Sequence, residues 1–250
     1  HEPYRRQRQM CIRDSNPYAS AGIVITSRLP YSGDIDGDNK EETISTSTDA
    51  QGLTVLNVES SGSTAEAATG IKEVSSIRLF DLDGDGVREI YIDGKDANAD
   101  TITCVAFYSP DESRPLHLAL FDSQSYAHGS IKEFADSKLI LDTEMNILGT
   151  YKVKNVYALA DKSFSKASDD IVFDNNTTYV TTSKSITLSN GSLLATGTKL
   201  RFTSTDGSSV INFVTDGGFT GSIPIASSGS GWTISGQPDT SYFTSLPYKN

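Results

Sequence analysis

The chain has 250 residues, enough for one large or two small domains, and a formal net charge of −11 at pH 7. This acidic balance argues against a nucleic-acid partner and against an anionic membrane surface, because both recruit proteins through basic patches. Hydrophobic residues make up 36% of the sequence, which is enough for a core. No apolar run approaches the roughly 18 residues needed to span a bilayer, so we expect no membrane insertion.

The first segment, residues 1–18, differs in character from the rest of the chain. Its opening letters, HEPYRRQRQMCIRDS, are basic and show neither strand alternation nor an apolar helix face. They resemble the peptide produced when sequencing-adapter sequence is translated at the edge of a metagenomic contig. We therefore predict a non-native or disordered tail, with a basic interaction arm as the alternative. Cys11 lies in this tail, so we expect Cys104 to be a buried thiol without a disulfide partner.

Two acidic loops follow, DIDGDNKEE at 34–42 and DLDGDGVRE at 81–89. Both place acids at loop positions 1, 3, 5 and 9 and a glycine at position 4. Such carboxylates repel one another unless a cation lies among them, and hard cations such as Ca²⁺ take oxygen ligands. A solvated acidic turn is the alternative. The predicted metal ligands are the side chains of Asp34, Asp36, Asp38, Glu42, Asp81, Asp83, Asp85 and Glu89 and the backbone carbonyls of Lys40 and Val87.

These loops do not fit an EF-hand, because position 12 of the second loop is Ile92 and an EF-hand needs a bidentate acid there. The pattern instead resembles the calcium loops of bacterial FG-GAP/VCBS repeats and integrin-type β-propeller blades. That resemblance implies bound Ca²⁺ and a β-propeller-like repeat region over residues 19–160. The loops start 47 residues apart (81 − 34), a spacing that suits a four-stranded blade.

Short β-leaning runs between turn signals predict an all-β fold. Examples are ETISTST at 42–48, REIYID at 88–93 and TITCVAFYS at 101–109. Only residues 65–74 and 129–135 have any helical character, so we expect helix, if anywhere, in those two segments.

A polar, weakly periodic segment at 161–178 predicts a linker. Five short strand-like runs follow within 179–250, and they favour a small β-barrel. The stretch GTKLRFTSTDGSSVINFVTDGGFTGSIPI within them resembles a bacterial SH3-like domain. The expected architecture is therefore a partial β-propeller-like repeat region followed by an SH3-like barrel.

No catalytic motif is present in the sequence, so we expect no catalytic residues and no enzyme activity. His117 alternates with two leucines on a predicted strand and is expected to face solvent, while His128 lies in a predicted turn. Exposed aromatic side chains offer a route to ligand binding, and core packing is the alternative. The candidate ligand-binding residues are Trp232, Tyr179 and Phe219.

Together these features predict a monomeric, non-catalytic, secreted or cell-surface bacterial protein with structural calcium. Its expected task is adhesion or ligand binding, with a cell-wall glycan or a protein as partner. The alternative is a set of accessory domains from a larger extracellular hydrolase.

Overall fold

A computed structural model describes residues 22–174, 176–229 and 231–248. Strands dominate this part of the chain, and its helical segments are two 3₁₀ turns at Thr26–Arg28 and Asp239–Ser241. The all-β prediction is therefore confirmed. Within these ranges no helix has the length and apolar character needed to cross a bilayer. The predicted tail at 1–18 lies outside the described residues.

The chain divides into two compact units. Unit 1 comprises the described residues up to Ala127 together with 132–139 and 159–163, and unit 2 comprises 128–131, 140–158 and the chain from Phe164 onward. Five strands, β11 to β15, contain the residues at which the chain passes between the units. The strands of unit 1 are β1 Ile23–Val24, β2 Tyr31–Gly33, β3 Glu42–Thr48, β4 Thr54–Ser60, β5 Ser63–Ala68, β6 Glu73–Phe80, β7 Glu89–Lys95, β8 Thr101–Tyr108, β9 Leu116–Leu118 and β10 Leu120–Phe121. The five strands at the passages are β11 Ala127–His128, β12 Ser130–Ala135, β13 Lys138–Asn146, β14 Thr150–Ala160 and β15 Ser163–Lys166.

Unit 1 is built on two antiparallel sheets. One sheet has the order β2-β3-β4-β5, and the other contains β1-β6-β7-β8-β9 in neighbouring positions. The central strand β7 is buried on both faces, in agreement with its uninterrupted apolar run Ile90-Tyr91-Ile92. Ile90 and Ile92 point into the main core of the unit. On the opposite face Phe134 packs edge-on against Tyr91, with 4.7 Å between ring centroids.

The two helix predictions, 65–74 and 129–135, are wrong. The first segment contains most of β5 and the start of β6, and the second coincides with β12. Alanine and glutamate favour helix in isolation, but Ala65 and Ala67 pack against the core from one face of β5. Pairing of every residue of β5 with β4 thus overrides the local preference.

The strands from 171 onward are β16 Ile171–Phe173, β17 Val180–Thr181, β18 Ile186–Thr187, β19 Leu193–Leu194, β20 Lys199–Thr205, β21 Val210–Thr215, β22 Thr220–Pro224, β23 Ala226–Ser228, β24 Gly231–Ile234 and β25 Gln237–Pro238. The main sheet of unit 2 contains neighbouring strands in the order β14-β16-β20-β21-β22, with β17 also paired to β20. Two small sheets, β18-β19 and β23-β24-β25, complete the unit. Among the described residues, none of these sheets closes into a barrel.

The segment 161–178, interpreted from its polar composition as a linker, contains β15 and β16. Strand β16 lies between β14 and β20 in the main sheet of unit 2. Its two buried side chains, Ile171 and Phe173, alternate with the exposed Val172, so one face of β16 packs in the core. The sequence on either side of the strand is polar. A strand of three residues is too short for its alternation to stand out in the sequence.

An aromatic cluster occupies the core of unit 2. The Phe202 ring is 1% exposed and meets the rings of Tyr151 and Phe243 edge-on, with centroid distances of 5.9 and 5.7 Å. Phe173 lies 6.4 Å from the same ring. Edge-to-face packing of this kind adds to the stability that area burial provides, so Phe202 is a central packing residue of the unit.

Candidate metal centres

The second acidic loop brings four carboxylates together. Ligand oxygens of Asp81, Asp83, Asp85 and Glu89 all lie within 4.8 Å of one another. The three aspartates lie in the connection between β6 and β7, and Glu89 is the first residue of β7 and is 1% exposed. Crowding of this kind is unfavourable in the absence of a cation, because like charges at close range repel.

Backbone N–H groups fix the aspartates of this loop. Asp81 accepts hydrogen bonds from the N–H groups of Gly84 (2.7 Å) and Gly86 (3.0 Å). Asp83 accepts from the N–H of Asp85 (3.2 Å), and Asp85 accepts from the N–H of Val87 (2.7 Å). Each aspartate thus accepts hydrogen bonds from backbone N–H groups two or more residues further along the chain. These hydrogen bonds hold the loop in a tight turn around its own carboxylates.

The first loop repeats this pattern bond for bond. Asp34 accepts from Gly37 (2.7 Å) and Asn39 (3.0 Å), Asp36 accepts from Asp38 (3.1 Å), and Asp38 accepts from Lys40 (2.7 Å), in each case from the backbone N–H. Positive φ angles also recur at position 4, 80° for Gly37 and 78° for Gly84. Glycine adopts this conformation without strain.

Both loops also close the same kind of hairpin. The residue before the first aspartate pairs with the glutamate at position 9, as Gly33 with Glu42 and as Phe80 with Glu89. Each loop therefore joins two neighbouring antiparallel strands, β2 and β3 or β6 and β7, and a third strand continues the meander. The similarity predicted from the sequence extends to backbone geometry and strand register.

A buried glutamate anchors each loop. Glu42 Oε2 accepts a hydrogen bond from the N–H of Ile35 (3.0 Å), and Glu89 Oε2 accepts one from the N–H of Leu82 (2.9 Å). Burial, reinforced by the charges of Asp83 and Asp81, raises the pKa of Glu89 to about 7 despite its hydrogen bonds. A cation in the loop would offset this cost and favour the ionised carboxylate.

Two partners of these glutamates were not predicted from the sequence. The Tyr91 hydroxyl donates to Glu89 Oε2 at 3.1 Å, and the Ser60 hydroxyl donates to Glu42 Oε1 at 3.3 Å. Tyr91 lies two residues after Glu89 on the same strand, so their side chains share a face. Tyr91 could therefore have been predicted from its spacing to Glu89. Ser60 could not, because it is distant in sequence from Glu42.

The first loop departs from the second at position 5. The Asp38 carboxylate forms an ion pair with Lys40 Nζ at 2.7 Å, and this contact lowers the pKa of Asp38. Only Asp34, Asp36 and Glu42 have ligand oxygens within 4.8 Å of one another in this loop. Of the four predicted side-chain ligands of this loop, Asp38 therefore lies outside the group, and its carboxylate contacts the exposed ammonium of Lys40 instead. In the second loop the equivalent residue, Val87, is half-buried and carries no charge.

Replacing Lys40 with valine is expected to strengthen cation binding by the first loop about two- to fivefold, a range set by the modest strength of exposed ion pairs. The substitution copies position 7 of the second loop and releases the Asp38 carboxylate. Calorimetric titration with Ca²⁺ measures the effect. Lys72→Val, which changes an exposed lysine outside both loops, is the control. Equal affinities in the wild type and in Lys40→Val would contradict this account of the first loop.

Arg88 connects the two loops. Its backbone N–H donates to the carbonyl of Ile35 at 2.7 Å, and its Nη1 donates to the carbonyl of Asp34 at 3.0 Å. These two hydrogen bonds hold the first loop against the second.

The candidate ligand-binding aromatics do not form one site. Trp232 lines a cleft of unit 2, and neither Tyr179 nor Phe219 lines that cleft. Tyr179 is 40% exposed and has Lys199 Nζ 4.9 Å from its ring centroid. Phe219 is 52% exposed, with its ring centroid 6.2 Å from that of Phe213.

The remaining sequence candidates occupy ordinary structural positions. His117 is half-buried rather than fully solvent-facing and stacks on Phe107 with 5.7 Å between ring centroids. His128 is exposed on β11. Cys104 is buried and its thiol donates to the carbonyl of Thr69, and burial, followed by the charge of Asp93, raises its pKa to about 12. The thiol is therefore protonated near neutral pH.

No protein-family model, curated protein or solved structure matches the chain. The features of this chain that bear on its function are therefore the two acidic loops and the cleft beside Trp232.

Proposed function

We propose that the two acidic loops bind Ca²⁺ and that the ion stabilises the strands that follow them. The assembly of Asp81, Asp83, Asp85 and Glu89 within 4.8 Å of one another carries this proposal. The protein is then a non-catalytic, secreted or cell-surface bacterial module that acts in adhesion or ligand binding.

The chemistry of the donor set favours calcium over softer metals. All four grouped side chains of the second loop offer carboxylate oxygens, and no histidine or cysteine belongs to either described group. Oxygen-only sites suit calcium, magnesium and manganese, whereas zinc and copper favour nitrogen or sulfur. A loop with several flexible carboxylates fits the irregular, high coordination number of calcium better than the strict octahedron of magnesium.

The position of the loops supports a structural role. Each loop closes a hairpin, and its buried glutamate begins the next strand. A bound ion would neutralise the aspartates and hold this glutamate ionised. Extracellular modules of this kind bind calcium with dissociation constants of roughly 10⁻⁴ to 10⁻³ M, which suits a secreted or surface protein.

The proposal extends to the FG-GAP/VCBS-like and SH3-like architecture. In support, both loops occupy the same place in an antiparallel meander and share strand register. The short antiparallel strands β20, β21 and β22 of unit 2 are consistent with the core of an SH3-like domain.

Calorimetric titration of the full chain with Ca²⁺ tests the metal proposal. We expect two binding events, of which the stronger belongs to the second loop because all four of its acids are available. Asp83→Asn removes one of those charges and is expected to weaken the stronger event at least about tenfold, as loss of a charged ligand contact costs more than 1.4 kcal/mol.

Asp96→Asn is the matched control. Asp96 also accepts backbone hydrogen bonds in a turn, from Asn98 and Asp100 at 2.8 and 2.9 Å, but it belongs to neither carboxylate group. Its replacement is expected to leave both binding events unchanged. No heat of binding at millimolar Ca²⁺, or equal losses in the two variants, would overturn the proposal.

A further inference from the structure

A cleft of about 420 Å³ lies in unit 2 between β24 and the C-terminal part of the described chain. Two aromatic residues, Trp232 and Tyr248, line it together with Asp239. Three further polar residues belong to its lining, namely Asn146, Thr233 and Thr240. The sequence pointed to Trp232 alone, and the residues around it come from segments far apart in the chain.

Trp232 is held in a fixed orientation. Its Nε1 donates a hydrogen bond to the carbonyl of Asn146 at 2.8 Å, and part of the indole packs against the core of unit 2. The side chain is half-buried, so part of it also borders the cleft. A pre-positioned indole loses little conformational freedom when a ligand stacks on it.

Asp239 and Tyr248 form the second side of the cleft. Asp239 is 5% exposed and accepts a hydrogen bond from the N–H of Thr240 at 2.7 Å, and the Tyr248 hydroxyl donates to its other carboxylate oxygen. Tyr248 is 41% exposed. Burial, followed by the hydrogen bond to Asp239, raises the pKa of Tyr248, so its hydroxyl stays protonated and remains a donor.

The described lining of this cleft contains an acidic residue and no basic one. Among the described residues that line the cleft, Asp239 is the sole one with an ionisable acidic or basic side chain other than the phenol of Tyr248. A buried carboxylate without a counter-charge is costly. The cleft therefore disfavours anions and favours a ligand that brings a positive charge to Asp239.

Aromatic rings add to this preference. Indole and phenol faces attract cations, and tryptophan does so most strongly. The combination of two aromatic side chains and one buried carboxylate suits an alkylammonium group, whose N–H donors can bond to Asp239 while its methylene groups contact the rings.

We propose that this cleft binds an alkylammonium group, presented either by a small amine or by a lysine side chain of a partner protein. The inference rests on the ligand-binding part of the proposed function and not on the calcium loops. Asp239 supplies the anion, Tyr248 and Thr240 position it, and Trp232 supplies the stacking surface.

Trp232 is the sole tryptophan of the sequence, so its fluorescence reports directly on the cleft. Titration of the full chain with n-butylammonium is expected to change this fluorescence in a saturable manner. 1-Butanol, which has the same carbon chain without the charge, is expected to bind about tenfold more weakly or not at all. A peptide with one internal lysine and blocked ends, compared with n-butylammonium, separates the two sources of the group.

Asp239→Asn keeps the shape of the side chain and removes its charge, and we expect it to weaken n-butylammonium binding about tenfold or more. Asp216→Asn, which changes an exposed aspartate of the same unit outside the cleft, is expected to have no effect. If Asp239→Asn does not fold, the comparison of the amine with 1-butanol on the wild type decides the question.

Equal binding of the amine and 1-butanol, no saturable signal with the amine, or an unchanged affinity in folded Asp239→Asn would overturn the inference. A saturable response to a neutral monosaccharide but not to the amine would do so as well, and would assign the cleft to a carbohydrate. Repeating the n-butylammonium titration in excess EDTA separates the two proposals, because amine binding is then measured in the absence of calcium.

Discussion

Addition of calcium is expected to raise the melting temperature of the protein, and removal of calcium with EDTA is expected to lower it by the same amount. At about 10 mM Ca²⁺ and a dissociation constant of roughly 10⁻⁴ to 10⁻³ M, each occupied loop would gain about 1.4–2.7 kcal/mol. For a chain of this size that corresponds to a shift of roughly 3–10 °C per loop. Calorimetric melting curves in both conditions measure the shift.

The Asp83→Asn variant makes this prediction sharper, because the sign of its effect depends on the metal. In EDTA the substitution removes repulsion from Asp81 and Asp85, so the melting temperature should stay unchanged or rise slightly. In Ca²⁺ it removes a charge that binds the ion, so about half or more of the stabilisation from the second loop should disappear. Asp96→Asn should follow the wild type in both conditions. Identical wild-type melting curves with and without EDTA would remove the structural role of the metal.

Phe202→Ala is expected to lower the free energy of unfolding of unit 2 by about 3–5 kcal/mol, the usual cost of deleting a buried phenylalanine. Its ring is 1% exposed and contacts aromatic rings contributed by Tyr151, Phe173 and Phe243. Denaturant unfolding followed by the fluorescence of Trp232 measures the effect, because the sole tryptophan lies in the same unit.

Phe219→Ala is the matched control for this substitution. It deletes the same side chain from a position that is 52% exposed, and its cost should be about 1 kcal/mol or less. Similar losses in the two variants would mean that the aromatic cluster around Phe202 does not determine the stability of unit 2.

The acidic loops could be predicted from the sequence because their chemistry is local. Nine consecutive residues contain the alternating aspartates, the turn-forming glycine and the glutamate, and their hydrogen bonds run within the same nine residues. The all-β class was equally accessible, since alternation and turn signals recur along most of the chain. Local signals of this kind do not depend on the fold around them.

Features that depend on distant residues could not be predicted. Ala65 and Ala67 look helical until pairing with β4 places them on a core-facing strand. The cleft beside Trp232 is similar, because the carbonyl that fixes the indole belongs to Asn146, which lies 86 residues away. The ion pair between Asp38 and Lys40 is different, because it is local and the sequence already places the positive charge of Lys40 in the first loop.

Arg88 belongs to the second loop and its side chain contacts the first, so the two similar loops are not equivalent. The equivalent position of the first loop is the exposed Glu41, so a chain carrying two copies of the first loop would keep the backbone bond to Ile35 but lose the guanidinium bond to Asp34. The two loops are therefore not interchangeable, because the guanidinium that contacts the first loop comes from the second alone.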